Sequence, residues 1–445
     1  MQESFVSARI AVVGAGVSGL CAAWQLQREL PQSRVTLFEA EARCGGHAHT
    51  VDLALNGVRH GVDTGFLVYN ERTYPGLIAL FEALQVPTAA AEMSFSVQSA
   101  GLEWSGSSLN TVFAQRRNLV SPAFWGMLAD LLRFNRLCTA LAQSGDDAAL
   151  AMPIAEFLAV HRFGERFRLD YLLPMVACIW SCPVEQMLQF PVGTLIRFCH
   201  NHGLLQVQDR PQWYTVRGGS RVYVDKLRAQ LADVRTGHTV QAVRRLPPGS
   251  GLGGVMLDGL RADGTAHSER FDEVVLACHS DQALALLPDA NGDERQLLGA
   301  IRYHANRAVL HTDASLLPRR KLAWAAWNYE RAAGQDQERS HVCLHYLLNR
   351  LQPLPWQAPV IVSLNPVREP HPATVHSEFD HAHPVFDQAA VAAQQALPRI
   401  QGASHVWFCG AWTRYGFHED GLQSGLAVAR ALAATQGAQS WPLSA

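Results

Sequence analysis

Hydrophobic residues recur along this chain with two different periods. Ile10, Val12 and Val13 make a short apolar run, as a central parallel strand should. The helical pattern after it stops at Pro31, and Arg34–Glu39 reads as a second strand. Apolar positions alternate around Asn56-Gly57, which predicts a β-hairpin with a type I′ turn over residues 50–60. Leu77, Leu80, Phe81 and Leu84 share one face of a helix over 71–84, and 95–104 reads as another hairpin. Ser121-Pro122 is a helix start, with serine at N-cap and proline at N1. Its apolar face is expected to carry Phe124, Leu128, Leu131, Leu132 and Leu137. Residues 141–149 read as a polar linker, and 171–180 as an all-round apolar, buried helix. Residues 234–243 read as one strand, with Ser220 capping the helix before it. Short strands at 308–312, 342–347 and 360–364 suggest an antiparallel sheet flooring a second domain.

Between the first strand and the first helix lies a glycine turn. Gly14, Gly16 and Gly19 fit G-x-G-x-x-G, with Ser18 inside it. A helix N-terminus there offers unpaired N–H groups and a positive dipole end to a pyrophosphate. Glu39 follows at the end of the second strand, where a carboxylate accepts from a ribose hydroxyl. Strand, helix and acid stand in the right order, so the turn predicts a dinucleotide site. Gly249 to Gly254 does not make a second one, because no apolar strand precedes it and a strand follows it; it reads as a β-turn.

Composition narrows the class. Hydrophobic residues are 48% and charged residues 17% of 445, which suits a folded chain of two or three domains. A net charge of −2 gives no excess positive charge for nucleic acid. Nine scattered cysteines without a C-x-x-C pair read as reduced and cytoplasmic. No signal peptide and no membrane-spanning run is expected. Arg116, Arg117, Arg133 and Arg136 make the helix after Pro122 a basic one. It reads either as a core-facing helix, the commoner case, or as a peripheral contact with the inner membrane.

Glu39-Ala-Glu-Ala-Arg43-Cys-Gly45-Gly46-His47 resembles the E-x-x-x-R-x-G-G segment of the flavin amine oxidase and phytoene-desaturase-like superfamily. The stretch from Val406 through Gly410, His418, Asp420, Gly421 and Ser424 resembles its closing motif. The resemblance implies non-covalent FAD. It also implies an α/β fold, a Rossmann-type FAD-binding domain (1–75, 206–285 and 402–440) with a discontinuous α+β substrate domain (76–205 and 286–401). On the same basis Arg43, Gly45, Gly46 and His47 continue the diphosphate site, Asp63, Gly65 and Phe66 approach the flavin, and Val240 meets adenine. Gly410, Asp420, Gly421 and Ser424 close the flavin end. His418 stands where amine oxidases carry an aromatic residue, which implies either a catalytic histidine or one that orients the flavin.

The segments 45–50, 62–75, 209–213 and 416–421 resemble a bacterial family found beside cyclopropane-fatty-acid-synthase-like methyltransferases. That association implies an apolar, fatty-acyl lipid substrate, unsaturated or methyl-modified, with the methyltransferase as partner. The alternatives are an amine oxidase, a non-redox flavin-dependent isomerase or mutase, and an FAD-binding partner protein without chemistry of its own. The pairs His47/His49, His200/His202 and His381/His383 lack a third ligand at metal spacing, so they read as structural or cofactor-contacting, and no metal is expected.

Overall fold

The computed structural model describes residues 8–144, 150–180, 187–206, 209–247, 253–331 and 342–439. At its centre is a five-stranded parallel sheet. Strand β1 (Arg9–Val13) lies between β2 (Arg34–Phe38) and β3 (Glu273–Leu276), Val234–Arg235 extends the β2 side, and β4 (Val406–Phe408) extends the β3 side. Ile10, Ala11 and Val12 are fully buried, as the unbroken apolar run requires. Helix α1 (Val17–Glu29) returns over the sheet and packs along α3 (His418–Gln439) near the end of the chain. Helix α2 (Pro75–Ala83) buries Leu77, Leu80 and Phe81 in the same core, so the unit built on the central sheet extends past residue 75. Leu297, Leu298, Ala390 and Ile400 pack on the other face of the central sheet and extend that unit beyond 285 as well.

The 50–60 hairpin forms as Thr50–Leu55 and Val58–Asp63, with Asn56 and Gly57 both at positive φ (51° and 78°). The expected strand over 234–243 is two strands in two sheets. Gly237, at φ 67°, turns the chain out of the central sheet into a small antiparallel sheet of 239–245, 255–260 and 266–271. Most of the turn expected at 249–254 lies outside the described residues.

The floor of the second domain is a seven-stranded sheet that takes in 95–105 as well as the later strands. It is antiparallel except where Trp327–Glu330 runs parallel to Phe95–Ser99. Helices 122–144, 154–160, 173–180 and 192–201 cover it, and Phe124, Phe134, Phe157, Phe167 and Ile196 fill the space between. The long helix continues to Ser144, through the first part of the expected linker. Its buried face is Phe124, Met127, Phe134 and Cys138, whereas Leu132 points outward at 48% exposure. Phe124, Leu128, Leu131 and Leu137 pack against the core as expected; Met127, Phe134 and Cys138 join them, because Phe134 packs on Phe157, Phe163 and Phe167.

Candidate functional site

The two ends of the chain meet at the carboxyl edge of β1, β3 and β4. Strand order reverses between β1 and β3, and α/β sheets hold ligands at such a point. Gly14 turns there against β3: a Cβ on it would stand 3.0 Å from the Ala277 carbonyl oxygen. Gly19 sits where a Cβ would fall 1.8 Å from the Gly14 carbonyl oxygen, so helix and turn can touch only through glycine. On α3, a Cβ at Gly425 would lie 2.2 Å from the Ser18 carbonyl oxygen, and one at Gly421 would meet Val17 and Ser18. The opening and closing motifs thus press directly on each other. Ser424 accepts from the Gly410 amide at 2.9 Å and donates to the Gly421 carbonyl at 2.8 Å, joining β4's turn to α3.

Above this packing the surface is hollow. A Cβ on Gly16 would meet nothing within 4 Å, in contrast to its neighbours. The Gly45 amide donates to Ala15 at 2.8 Å, which lays Gly45-Gly46 beside the turn. Glu39 accepts from the Ala15 amide at 2.7 Å and from the Glu41 amide at 2.9 Å. The Glu39 carbonyl accepts from His238 at 2.9 Å, two residues before Val240, which is itself buried in the core behind β2. Arg43 donates to the Gly46 carbonyl at 3.0 Å and pairs with Glu41. The open face at Gly16, beside the first turn of α1 and the Glu39 carboxylate, is the kind of helix N-terminus that takes a phosphate.

Asp63 is expected to approach the cofactor, but its carboxylate is occupied by the protein. It accepts from Thr50 Oγ1 (2.5 Å), the Ser220 amide (2.9 Å to each oxygen), Ser220 Oγ (2.7 Å) and Gln352 Nε2 (2.7 Å). Burial pushes its carboxyl up to about 6 against the pull of these donors. Ser220 spends its hydroxyl here and does not cap its helix. Asp63 instead anchors the following turn. Gly65 sits where a Cβ would strike the His47 carbonyl oxygen at 2.2 Å, and the Phe66 amide donates to that oxygen at 2.8 Å.

Phe66 stacks on His418 with ring centroids 3.9 Å apart and planes 14° apart. His418 Nε2 is 2.6 Å from the Tyr223 hydroxyl, a partner with no signal in the sequence. Burial lowers the His418 imidazole to about 3 and raises the Tyr223 phenol, so both are neutral near pH 7. The two acids after His418 are already engaged. Glu419 accepts from the Gly76 and Leu77 amides at 2.8 Å each and so caps α2. Asp420 accepts from the Phe417 amide at 3.0 Å, and burial raises it to about 6. Phe417 stacks on Phe198 (4.8 Å) and lies beside His202, which stacks toward Trp213. His200 and His202 end a helix and are not a strand-face pair.

A second group of histidines assembles from distant segments. The rings of His381 and His383, two apart on one face of the Val375–Val385 strand, stand 5.1 and 5.5 Å from His47. His279, at the end of β3, lies 6.2 Å from His47 and stacks on Tyr303 at 4.4 Å. Burial holds His47, His279, His381 and His383 below the usual imidazole range. His47 Nε2 and His381 Nε2 are buried without a protein hydrogen-bond partner. Buried polar atoms without a partner point to an acceptor or donor from outside the chain. The pairs are visible in the sequence, but their convergence depends on the floor sheet's edge strand reaching Gly46-His47.

Comparison with known proteins agrees with this geometry. A model of the NAD(P)-binding Rossmann-like domain matches residues 12–84. No curated protein matches the chain. Among solved structures, a protein assigned as protoporphyrinogen oxidase from Exiguobacterium sp. 255-15 is similar at 18% identity and TM-score 0.68, over 97% of this chain and 99% of that one. A CLA-producing fatty acid isomerase from P. acnes is similar at 14% identity and TM-score 0.66, over 95% and 98%. Cyclohexylamine oxidase from Brevibacterium oxydans IH-35A is similar at 16% identity and TM-score 0.66, over 97% and 100%. These likenesses establish the fold: an α/β Rossmann-like domain with a discontinuous α+β domain, in the two-domain arrangement of amine-oxidase-like proteins.

Proposed function

We propose that this chain is an FAD-dependent oxidoreductase that takes a hydride from an apolar, fatty-acyl substrate, unsaturated or methyl-modified near the carbon oxidised. The observation that carries the flavin reading is the convergence of both glycine motifs at the reversal point of the central sheet, under a space open at Gly16. Glu39 would take the ribose, the first turn of α1 with Arg43 and Gly45–His47 the diphosphate, and the first turn of α3 the flavin end. The chemistry that FAD supplies when bound is two-electron acceptance of a hydride at N5.

The side chains around His418 favour an apolar substrate over an amine. Phe417, Phe198 and Trp213 make an aromatic wall, and the two acids that follow His418, Glu419 and Asp420, are both spent on backbone amides and not directed at an ammonium group. In the tautomer where Tyr223 donates to Nε2, the His418 proton would sit at Nδ1, free to orient a carbonyl oxygen of an acyl group. Neighbours of the same fold include a fatty acid isomerase as well as amine oxidases, so fold alone does not choose between them.

The test is to purify the protein, record its visible spectrum, extract bound lipid for mass spectrometry, and incubate it anaerobically with unsaturated and methyl-branched acyl lipids. Bleaching of a flavin band together with a product two hydrogens lighter supports the reading. A colourless protein that FAD does not reconstitute overturns it. Turnover to a product of unchanged mass, with no lasting change in the flavin band, assigns an isomerase instead. His418→Ala should cut turnover while FAD is retained; unchanged turnover removes His418 from the chemistry.

A further inference from the structure

We propose that the surface formed by residues 109–125 and 319–322 docks this protein on an anionic phospholipid bilayer. Four large apolar side chains protrude from the first of these segments: Leu109 is 80% exposed, Val120 84%, Trp125 50% and Leu119 48%. They form one patch. Trp125 donates from its indole nitrogen to the Leu119 carbonyl at 3.0 Å and packs against Phe113, 5.2 Å away. The short helix Leu109–Val112 packs against the turn Lys321–Ala323, which adds Leu322 at 38% exposure.

Exposed apolar patches of this kind need a partner, and the charge around this one identifies it. Arg116, Arg117, Arg319, Arg320 and Lys321 are all exposed at its rim. These five cations stand together in a chain whose net charge is −2. No aspartate or glutamate occurs in 104–129 or in 314–329. The flanking acids are engaged: Glu103 is buried against Arg320, and Asp130 pairs with Arg133 and the Gly164 amide.

The shape also suits a bilayer. Leu109 on a short helix and Val120 at the end of a 3₁₀ turn are each more than three-quarters exposed, so both can enter acyl chains. Because the Trp125 indole N–H is already bonded, the ring can enter acyl chains without leaving a donor unpaired. Apolar prongs with a rim of cations bind anionic lipid by combining burial with electrostatic attraction. Among the described residues no helix is long and apolar enough to cross a membrane, so the contact is peripheral. The inference stands independently of the proposed substrate.

The experiment is co-sedimentation of the full chain with vesicles of phosphatidylcholine alone and of phosphatidylcholine with about one-third phosphatidylglycerol. Binding to the anionic vesicles, weakened by added salt, is expected. Leu109→Ser with Val120→Ser should lower the partition coefficient at least about tenfold. Lys321→Glu, which leaves the apolar prongs intact, should weaken anionic binding as well. Val58→Ser, another exposed apolar site, serves as control and should change nothing. No binding to anionic vesicles, or equal binding by wild type and both patch variants, overturns the proposal. So does light scattering that shows a lipid-free dimer lost in the double variant, which would make the patch a contact between copies.

Discussion

Replacing Asp63 tests whether the carboxylate at the end of the Thr50–Asp63 hairpin is a joint between domains. Its donors come from Thr50 in that hairpin, Ser220 at the start of the Arg221–Arg228 helix, and Gln352 beside the floor sheet. Ser220 is fully buried and Gln352 is 4% exposed, so water cannot easily replace the lost acceptor. Asp63→Ala leaves the Ser220 amide and Gln352 Nε2 unpaired, at about 1–3 kcal/mol each. A total loss of about 3–5 kcal/mol is expected. Asp63→Asn keeps one acceptor but sets an amide NH2 against Gln352 Nε2. Gln352 cannot flip freely, since its Oε1 accepts from the Asp63 amide at 3.0 Å. The asparagine variant should therefore lose about 1.5–3 kcal/mol. Asp52→Asn is the control: its carboxylate is 31% exposed and pairs with Arg221 and Arg59, a surface contact worth about 1 kcal/mol or less. Thermal unfolding followed by tryptophan fluorescence should rank the variants in that order. Because burial raises Asp63 to about 6, the folded wild type binds a proton before the unfolded chain does, so the gap between wild type and Asp63→Asn should widen as pH falls from about 6 towards 4. Asp63→Ala no less stable than Asp52→Asn would refute the account.

Gly425→Ala places a Cβ 2.2 Å from the Ser18 carbonyl, so α1 and α3 must separate; FAD affinity by fluorescence titration should fall at least about tenfold, and unchanged affinity would show that the contact can relax. Glu419→Gln weakens the charged cap on α2 and should cost about 1–2 kcal/mol in thermal or urea unfolding without removing His418 from the site. Acid should destabilise the fold from pH 6.5 downward, because burial lowers His202 to about 4 and the unfolded chain binds the proton first; His202 contributes about 2 kcal/mol of loss at pH 5, and a flat profile between pH 7 and 5 would count against this. His345 has the opposite sign. Burial works against its charge, but Cys343 and Glu330 raise it to about 9, so the stability it adds below pH 6.5 is lost as pH rises through 9. Glu330→Gln should flatten that alkaline limb.

Much of the nucleotide-binding unit was legible because its signals are local. The β1 run, the glycine turn and the Asn56-Gly57 hairpin each depend on a few adjacent residues whose backbone needs are specific. Gly421 and Ser424 could be placed at the site from the closing motif, and the structure brings them to Val17, Ser18 and Gly410. What could not be read was set by contacts across the fold. The Tyr223–His418 bond spans 195 residues, and the approach of His381 and His383 to His47 depends on the register of the floor sheet's edge strand. On the long helix only Leu132 among the expected apolar positions faces out, while Phe134 and Cys138 turn inward to meet residues distant in sequence. That Ser220 and Gln352 hold the Asp63 carboxylate has no local signal, because both lie far from it in sequence.

The packing of α1 on α3 has a consequence for how the protein is made. Translation produces residues 17–29 long before residues 418–439. Until β4 is synthesised, β3 is an open parallel edge, and the Ser18 face of α1 has nothing to cover it. A nascent chain can therefore build most of the central sheet yet hold no complete nucleotide pocket. Its exposed edge is the segment most in need of a chaperone or of early cofactor, and a chain cut short before β4 should be prone to aggregate.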